Sequence, residues 1–181
     1  MCYSFFMEKT VNKNYVYNGK IINVRCDDAL AENGNPCFRE VVEHHGGAAI
    51  LAVEDDCVYL VKQYRYAYEQ YLLEIPAGKL ERGEDPYMTA IRELEEEIGK
   101  KADALQEFGK IYPTPGYCNE IIHLYLATEF KSTATHFDDD EMLSIEKVKL
   151  CDAVNMAING DIKDAKTVIA LLKYHAMNGI K

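Results

Sequence analysis

The chain has 181 residues, 48% of them hydrophobic, and its 20 Lys and Arg residues against 30 Asp and Glu give a formal net charge of −10. This length predicts one domain with at most a small appendage, and the hydrophobic content is enough for a packed core, which argues against disorder. The negative charge argues against a nucleic-acid partner, no run reaches the roughly 18 apolar residues that span a membrane, and six cysteines without a CxxC pair favour a reducing cytoplasm.

The predicted elements begin with a hairpin, because two β-prone runs in residues 15–25 flank the turn signal Asn18-Gly19. The remaining elements, in chain order, are strands at 38–43, 47–53, 57–65 and 71–75, a helix at 86–98, strands at 107–112, 121–130 and 143–149, and helices at 151–159 and 164–177. Strands on both sides of one central helix predict an α+β fold with a mixed sheet between helices, in an α/β/α arrangement. We expect residues 1–45 to form an N-terminal strand region and residues 46–181 the main domain.

The central helix has clear end signals. Asp85 is suited to the N-cap, Pro86 to the first helical position, and Gly99 to the left-handed residue that ends the helix. At about 100° per residue, one apolar stripe is predicted to face the core; it consists of Tyr87, Ile91, Leu94 and Ile98.

Three carboxylates, Glu93, Glu96 and Glu97, lie on an adjoining face of this helix. Carboxylates at this spacing repel each other unless a cation lies among them, and ligands that are all oxygen favour Mg²⁺ or Mn²⁺. The alternative is that a Glu-rich face is simply solvated, because Glu is a good helix former.

The spacing around the helix favours the metal interpretation. Seven fixed letters occur at set intervals in residues 78–100, and at about 7% each they match by chance about once in 10⁸ positions. They are Gly78, Glu84, Arg92, Glu93, Glu96, Glu97 and Gly99. This pattern resembles the Nudix box, the signature of the Nudix hydrolases, and departs from it only at Lys100, where the box usually has an aliphatic residue.

The resemblance implies a role for each letter. Glu93, Glu96 and Glu97, with the backbone carbonyl of Ala77, would hold the divalent ions. Gly78 would allow a tight turn, Gly99 would end the helix, and Glu84 and Arg92 would brace the loop by a charge-assisted pair. The resemblance thus implies the Nudix fold and a metal-dependent hydrolase of a pyrophosphate bond.

Pieces outside the box resemble the ADP-ribose pyrophosphatases of this family. They are REVVEH (39–44), VKQYR (61–65), LEIPAGKLERGEDP (73–86), PGYCNE (115–120), with Pro115 as the marker of the ADP-sugar group, and DAKT (164–167). This implies hydrolysis of ADP-ribose to AMP and ribose 5-phosphate. Another nucleoside diphosphate derivative, such as GDP-mannose or NADH, is the alternative substrate. A ligand-sensing module without catalysis is a further alternative, which the intact box glutamates disfavour.

The same resemblance assigns substrate contacts and a dimer. Arg39 and Arg65 would contact phosphate or ribose, although strand arginines are more often surface ion-pair formers, and Glu120 would bind ribose hydroxyls. Glu97 and Glu141 compete for the role of catalytic base, and the residues do not separate them. In this subgroup the N-terminal strands cross to a second subunit, so a homodimer is expected.

Overall fold

The computed structural model describes residues 7–135 and 143–179. The strands in these ranges are β1 Lys9–Asn12, β2 Tyr15–Asn18, β3 Ile22–Leu30, β4 Pro36–His44, β5 Gly47–Glu54, β6 Cys57–Arg65, β7 Gln70–Glu74, β8 Ala77–Lys79, β9 Lys100–Lys101, β10 Gln106–Ile111, β11 Ile122–Ala127, β12 Lys131–Ser132 and β13 Leu143–Lys149. The helices are α1 Pro86–Ile98, α2 Leu150–Asn159 and α3 Ala165–Asn178, and a 3-10 turn covers Tyr66–Tyr68.

Contacts divide the chain into two units. The first comprises the described part of Met1–His45 together with Tyr112–Glu120. In its sheet β3 pairs antiparallel with β1, β2 and β4. The predicted hairpin is present, but its strands close at the pair Asn18–Asn23 rather than on a two-residue turn, because the Gly19 N–H donates to the Ile22 carbonyl at 3.0 Å.

The second unit, Gly46–Ile111 with the described part of Ile121–Lys181, contains a mixed sheet. Its main order is β10-β11-β5-β6-β13, with β7 beside β6 and β8 beside β5. The pair β11–β5 is parallel, whereas β5–β8, β6–β7 and β6–β13 are antiparallel. The mixed sheet expected from the sequence is therefore confirmed.

Helices cover both faces of this sheet. Strand side chains alternate between faces, and in β5 the residues Ala49 and Leu51 belong to a core shared with α2 and α3. Ala48 and Ile50 belong to the opposite core, which α1 completes with Ala90, Leu94 and Ile98. This burial of β5 on both faces confirms the α/β/α arrangement. In the described ranges, no helix has the length and apolar character needed to cross a bilayer.

The predicted apolar stripe of α1 faces the core. Leu94 and Ile98 are buried, and Tyr87 and Ile91 are partly buried and pack against the same cluster. The other buried positions are Thr89, Ala90 and Glu97. The carboxylate of Glu97 is thus in the protein interior, where it accepts a hydrogen bond from the Ala77 N–H. The strand that supplies this donor, β8, was not predicted, since three residues carry too little pattern.

Candidate active site

Local signals place α1 as the sequence predicts. The Asp85 side chain accepts a hydrogen bond from the Tyr87 N–H at 2.9 Å, and Pro86 is the first helical residue. Gly99 ends the helix with φ of 61°, and a Cβ there would lie 2.8 Å from the Thr133 carbonyl oxygen. Glycine is thus required at residue 99 both by its backbone angle and by a close approach.

Gly78 lies directly against the first carboxylate of α1. A Cβ built on Gly78 would lie 1.8 Å from Oε1 of Glu93 and 2.0 Å from its Cδ, which is too close for atoms that are not bonded to each other. The missing side chain therefore makes the space that the Glu93 carboxylate fills. This contact ties the glycine of the box to one of its predicted metal ligands.

Glu97 is held from the same strand, β8. Its Oε2 accepts a hydrogen bond from the Ala77 N–H at 2.9 Å, and the residue is 4% exposed. A carboxylate is tolerated at this depth because a donor meets it. Glu97 is therefore fixed beside the backbone of residue 77, whose carbonyl is the predicted fourth ligand.

Arg92 gathers the remaining carboxylates. Its Nη1 donates to Glu93 Oε1 at 2.7 Å and to Glu96 Oε2 at 2.8 Å, and its Nη2 lies 3.6 Å from Glu84 Oε1. Burial opposes the guanidinium charge, but the carboxylates of Glu93 and Glu96 raise the pKa of Arg92 above its ordinary value. The acidic partner in the loop, Glu84, also accepts from the Glu81 N–H at 2.9 Å, and this bond lowers the pKa of Glu84.

The predicted metal ligands lie in one region but do not converge on a single point. Within residues 7–135 and 143–179, no three His, Cys, Asp or Glu side chains are grouped as a metal site would require. The reason is visible in the contacts, because Arg92 holds two of the carboxylates and the Ala77 N–H holds the third. The donor set still suits a hard divalent cation, since it is all oxygen, it is rich in charge, and Gly78 leaves room for Glu93.

Arg65, at the end of β6, belongs to the same unit as these carboxylates. Its Nε and Nη2 donate to Glu74 Oε1 and Oε2 at 2.5 and 2.7 Å. The hydrogen bonds to Glu74 raise the pKa of Arg65, and the charges of Asp164 and Glu97 act in the same direction. The sequence indicated Arg65 but missed its partner Glu74, whose only signal was its place in the LEIPAG piece.

The other predicted substrate residues belong to the first unit. Arg39, on β4, is exposed and pairs through its guanidinium with the Glu8 carboxylate. Glu120 Oε1 lies 3.3 Å from the ring Nδ1 of His44, and the backbone N–H of His44 donates to Asn119 Oδ1 at 2.8 Å. Glu141, the second candidate for the base, lies outside the described residues.

Lys100, the departure from the box, is buried among aromatic rings. Its ammonium lies 4.8 Å from the ring centre of Tyr59 and 5.3 Å from that of Phe130. It also lies 3.6 Å from Glu54 Oε1 and donates to Ser132 Oγ at 3.2 Å. A lysine is accommodated where the box has an aliphatic residue because its charge is paired and its stem packs.

Comparisons with known proteins show which family the chain belongs to. The family model described as NUDIX domain matches residues 43–171, which is most of the chain. The chain belongs to the NUDIX family. This NUDIX protein is 41% identical over 167 residues to a protein of Bacillus subtilis (strain 168) named ADP-ribose pyrophosphatase, covering 91% of this chain and 90% of that one.

A second relative and a solved structure extend the match along nearly the whole NUDIX chain. A protein of Bacillus methanolicus named methanol dehydrogenase activator is 37% identical over 179 residues, covering 97% of both chains. The crystal structure of an ADP compounds hydrolase superposes with a TM-score of 0.85 at 24% identity, covering 97% of this chain and 96% of that chain. At that identity the superposition shows the fold alone, and it confirms the predicted Nudix fold.

Proposed function

We propose that this NUDIX hydrolase cleaves the pyrophosphate bond of ADP-ribose, giving AMP and ribose 5-phosphate, with Mg²⁺ as its metal and Mn²⁺ as a substitute. The observation that carries the proposal is the contact of the box glycine with the box carboxylate, Gly78 against Glu93, beside the Ala77–Glu97 hydrogen bond. The relative named ADP-ribose pyrophosphatase supports the choice of substrate.

The chain supplies ligands and a base to this reaction. Glu93, Glu96, Glu97 and the Ala77 carbonyl would hold the metal. When bound, the metal neutralises the diphosphate and activates water. The loop before α1 and the helix itself are kept in place by Gly78, Gly99 and the pair Glu84–Arg92. Arg92 Nη1 donates to Glu93 Oε1 and to Glu96 Oε2, and would keep these two predicted ligands side by side on the helix.

Water adds across the phosphoanhydride, so its oxygen bonds to one phosphorus while the bridging oxygen leaves with the other phosphate. The proton of that water passes to a carboxylate, and Glu97 and Glu141 remain the two candidates. For the substrate we propose contacts from Arg39 and Arg65 to phosphate or ribose and from Glu120 to ribose hydroxyls. A guanidinium fork matches phosphate oxygens, which supports the arginine assignments.

A substrate panel tests the proposal. ADP-ribose, GDP-mannose and NADH are incubated with the enzyme and Mg²⁺, and alkaline phosphatase then releases phosphate only from monoesters that the cleavage creates. We expect the highest kcat/KM for ADP-ribose and loss of turnover with a chelator, restored by Mg²⁺ or Mn²⁺. A tenfold preference for GDP-mannose or NADH would overturn the substrate. No turnover of any compound, together with ligand binding, would favour the sensing module instead.

We further propose that the enzyme is a cytoplasmic homodimer whose N-terminal strands form the interface, with no nucleic-acid or membrane partner. Exposed apolar side chains on the first unit support a partner surface; Val11 and Val16 are each 63% exposed. Light scattering after gel filtration is expected to give twice the chain mass for wild type. The paired substitutions Val11→Lys and Val16→Lys are expected to give a monomer, and an unchanged dimer would place the interface elsewhere.

A further inference from the structure

A buried carboxylate, Glu74 at the end of β7, joins three elements of the second unit. It is 2% exposed and binds the Arg65 guanidinium from β6 through both of its oxygens. Oε2 also accepts from the ammonium of Lys166 in the first turn of α3. Asp164 Oδ1 binds the same ammonium at 3.0 Å. Two cations thus share one carboxylate, and a second carboxylate balances the group.

The start of α3 also holds the backbone beside Glu74. Thr167 Oγ1 accepts a hydrogen bond from the Ile75 N–H at 2.8 Å, and Thr167 is fully buried. Asp164 Oδ2 accepts from the Thr167 hydroxyl at 2.5 Å and from its N–H at 3.0 Å. The DAKT piece therefore fixes both the side chain of Glu74 and the backbone N–H of Ile75, two residues before Ala77.

Arg65 connects this cluster to the box. Its pair with Glu74 uses Nε and one side of Nη2, so the Nη1 edge of the fork lies outside that pair. Glu74, which Arg65 binds, lies only three residues before Ala77, and the Ala77 N–H donates to the box carboxylate Glu97 at 2.9 Å. Because Lys166 binds the same oxygen as Nη2, it fixes the plane of the carboxylate on which Arg65 rests.

We propose that Lys166 is a positioning residue for hydrolysis, acting through Glu74 to aim the Arg65 guanidinium at the diphosphate of the substrate. This role rests on the proposed function, because it requires that Arg65 contacts phosphate. In this role Lys166 acts only through its contacts with Glu74 and Asp164, not by touching the substrate or the metal. A purely structural role would lower stability and leave the kinetics of the folded enzyme unchanged.

The test is a double-mutant cycle of Lys166→Met and Glu74→Gln, measured as kcat/KM with the panel substrate that wild type cleaves fastest. We expect Lys166→Met to lower kcat/KM by about 10- to 100-fold, as for small misplacements of a binding group. Most of the loss should lie in KM, because a phosphate contact serves ground state and transition state alike. In the Glu74→Gln background, Lys166→Met should add less than about threefold.

Lys173→Met is the matched control, since Lys173 is another lysine of α3 that donates to the Phe108 carbonyl at 2.6 Å and packs on its ring. It should lower the melting temperature but not kcat/KM, and Lys166→Arg should retain most activity. If Lys166→Met does not fold, Lys166→Gln takes its place in the cycle. The positioning role would be overturned if Lys166→Met kept the kcat/KM of the unchanged enzyme, or if the losses of Lys166→Met and Glu74→Gln simply added. In both cases the proposed function would still stand, because the unchanged enzyme turns over the substrate. An inactive wild type would overturn both.

Discussion

Two charged clusters of the second unit are balanced in opposite ways. Around Arg92 one guanidinium meets the carboxylates of Glu84, Glu93 and Glu96, and Glu97 adds a fourth carboxylate on the same helix. Around Glu74 two cations meet one buried carboxylate, and Asp164 restores neutrality. The first cluster has a surplus of negative charge and suits a cation from solution, whereas the charges of the second balance within the protein.

The two clusters differ in burial as well as in charge, and this difference distinguishes a candidate metal site from the residues that support it. The Arg92 side chain is 40% exposed, so a cation from solution can reach the carboxylates that it binds. The Glu74 side chain is 2% exposed, and a carboxylate at that depth needs its partners at all times. We therefore expect changes to the first cluster to alter catalysis, and changes to the second to alter stability as well.

The largest effect is expected for Glu97→Gln, which removes one negative charge from the cluster around Arg92. As catalytic base, Glu97 would contribute about 10²- to 10⁴-fold to kcat. We expect a loss of that size in steady-state assays with Mg²⁺ and ADP-ribose. Glu95→Gln is the matched control, because Glu95 on the same helix lies 3.6 Å from Lys101 and belongs to neither cluster. Near-normal kcat in Glu97→Gln with a large loss in Glu141→Gln would assign the base to residue 141.

Next in size is the stability loss of Glu74→Gln. Removing one partner of a buried ion pair costs about 3 to 5 kcal/mol, and the partial exposure of Arg65 places the expected loss at the lower end, about 3 kcal/mol. Urea unfolding at pH 7 measures it. Comparable stability of the two proteins at pH 7 would show that the cluster around Glu74 is not a structural unit.

The pH dependence of that difference has a defined sign. Burial acts to raise the pKa of Glu74, but Arg65 and Lys166 together lower it below the ordinary value of 4.5. A lowered pKa in the folded state means that the contribution is fully present above pH 4.5 and is lost as pH falls further. The free energies of unfolding of wild type and Glu74→Gln should therefore converge below that pH. A constant difference down to acid pH would contradict the assignment.

A smaller effect is expected for Gly78→Ala, which tests the cluster around Arg92 without removing a charge. The new Cβ would overlap the end of the Glu93 side chain, which can rotate away at little cost in stability. Displacing a ligand in this way should raise the Mg²⁺ concentration for half-maximal activity by about tenfold. Gly160→Ala is the control, because φ of 82° strains alanine there while a Cβ would meet no atom within 4 Å. It should cost about 1 kcal/mol of stability and leave the metal response unchanged.

Much of the fold could be predicted because its signals are local. Asp85 and Gly99 bound α1, and Asp164 and Gly179 bound α3, as their residue types require. Strands on both sides of one central helix, with further helices at the end, were enough to predict a mixed sheet with two covered faces. Short strands such as β8 escaped prediction, since pairing with β5 rather than their own three residues defines them.

The sequence by itself determined the box, the ends of its helix and the family, because these depend on residue type and spacing along one segment. Only the tertiary structure decided which groups meet across the chain. Glu74 and Lys166 are 92 residues apart, as are Ile75 and Thr167, and no local pattern relates them. Such pairs form because a buried charge and a buried N–H must each find a partner inside the protein, and which partner is near depends on how the sheet and helices pack.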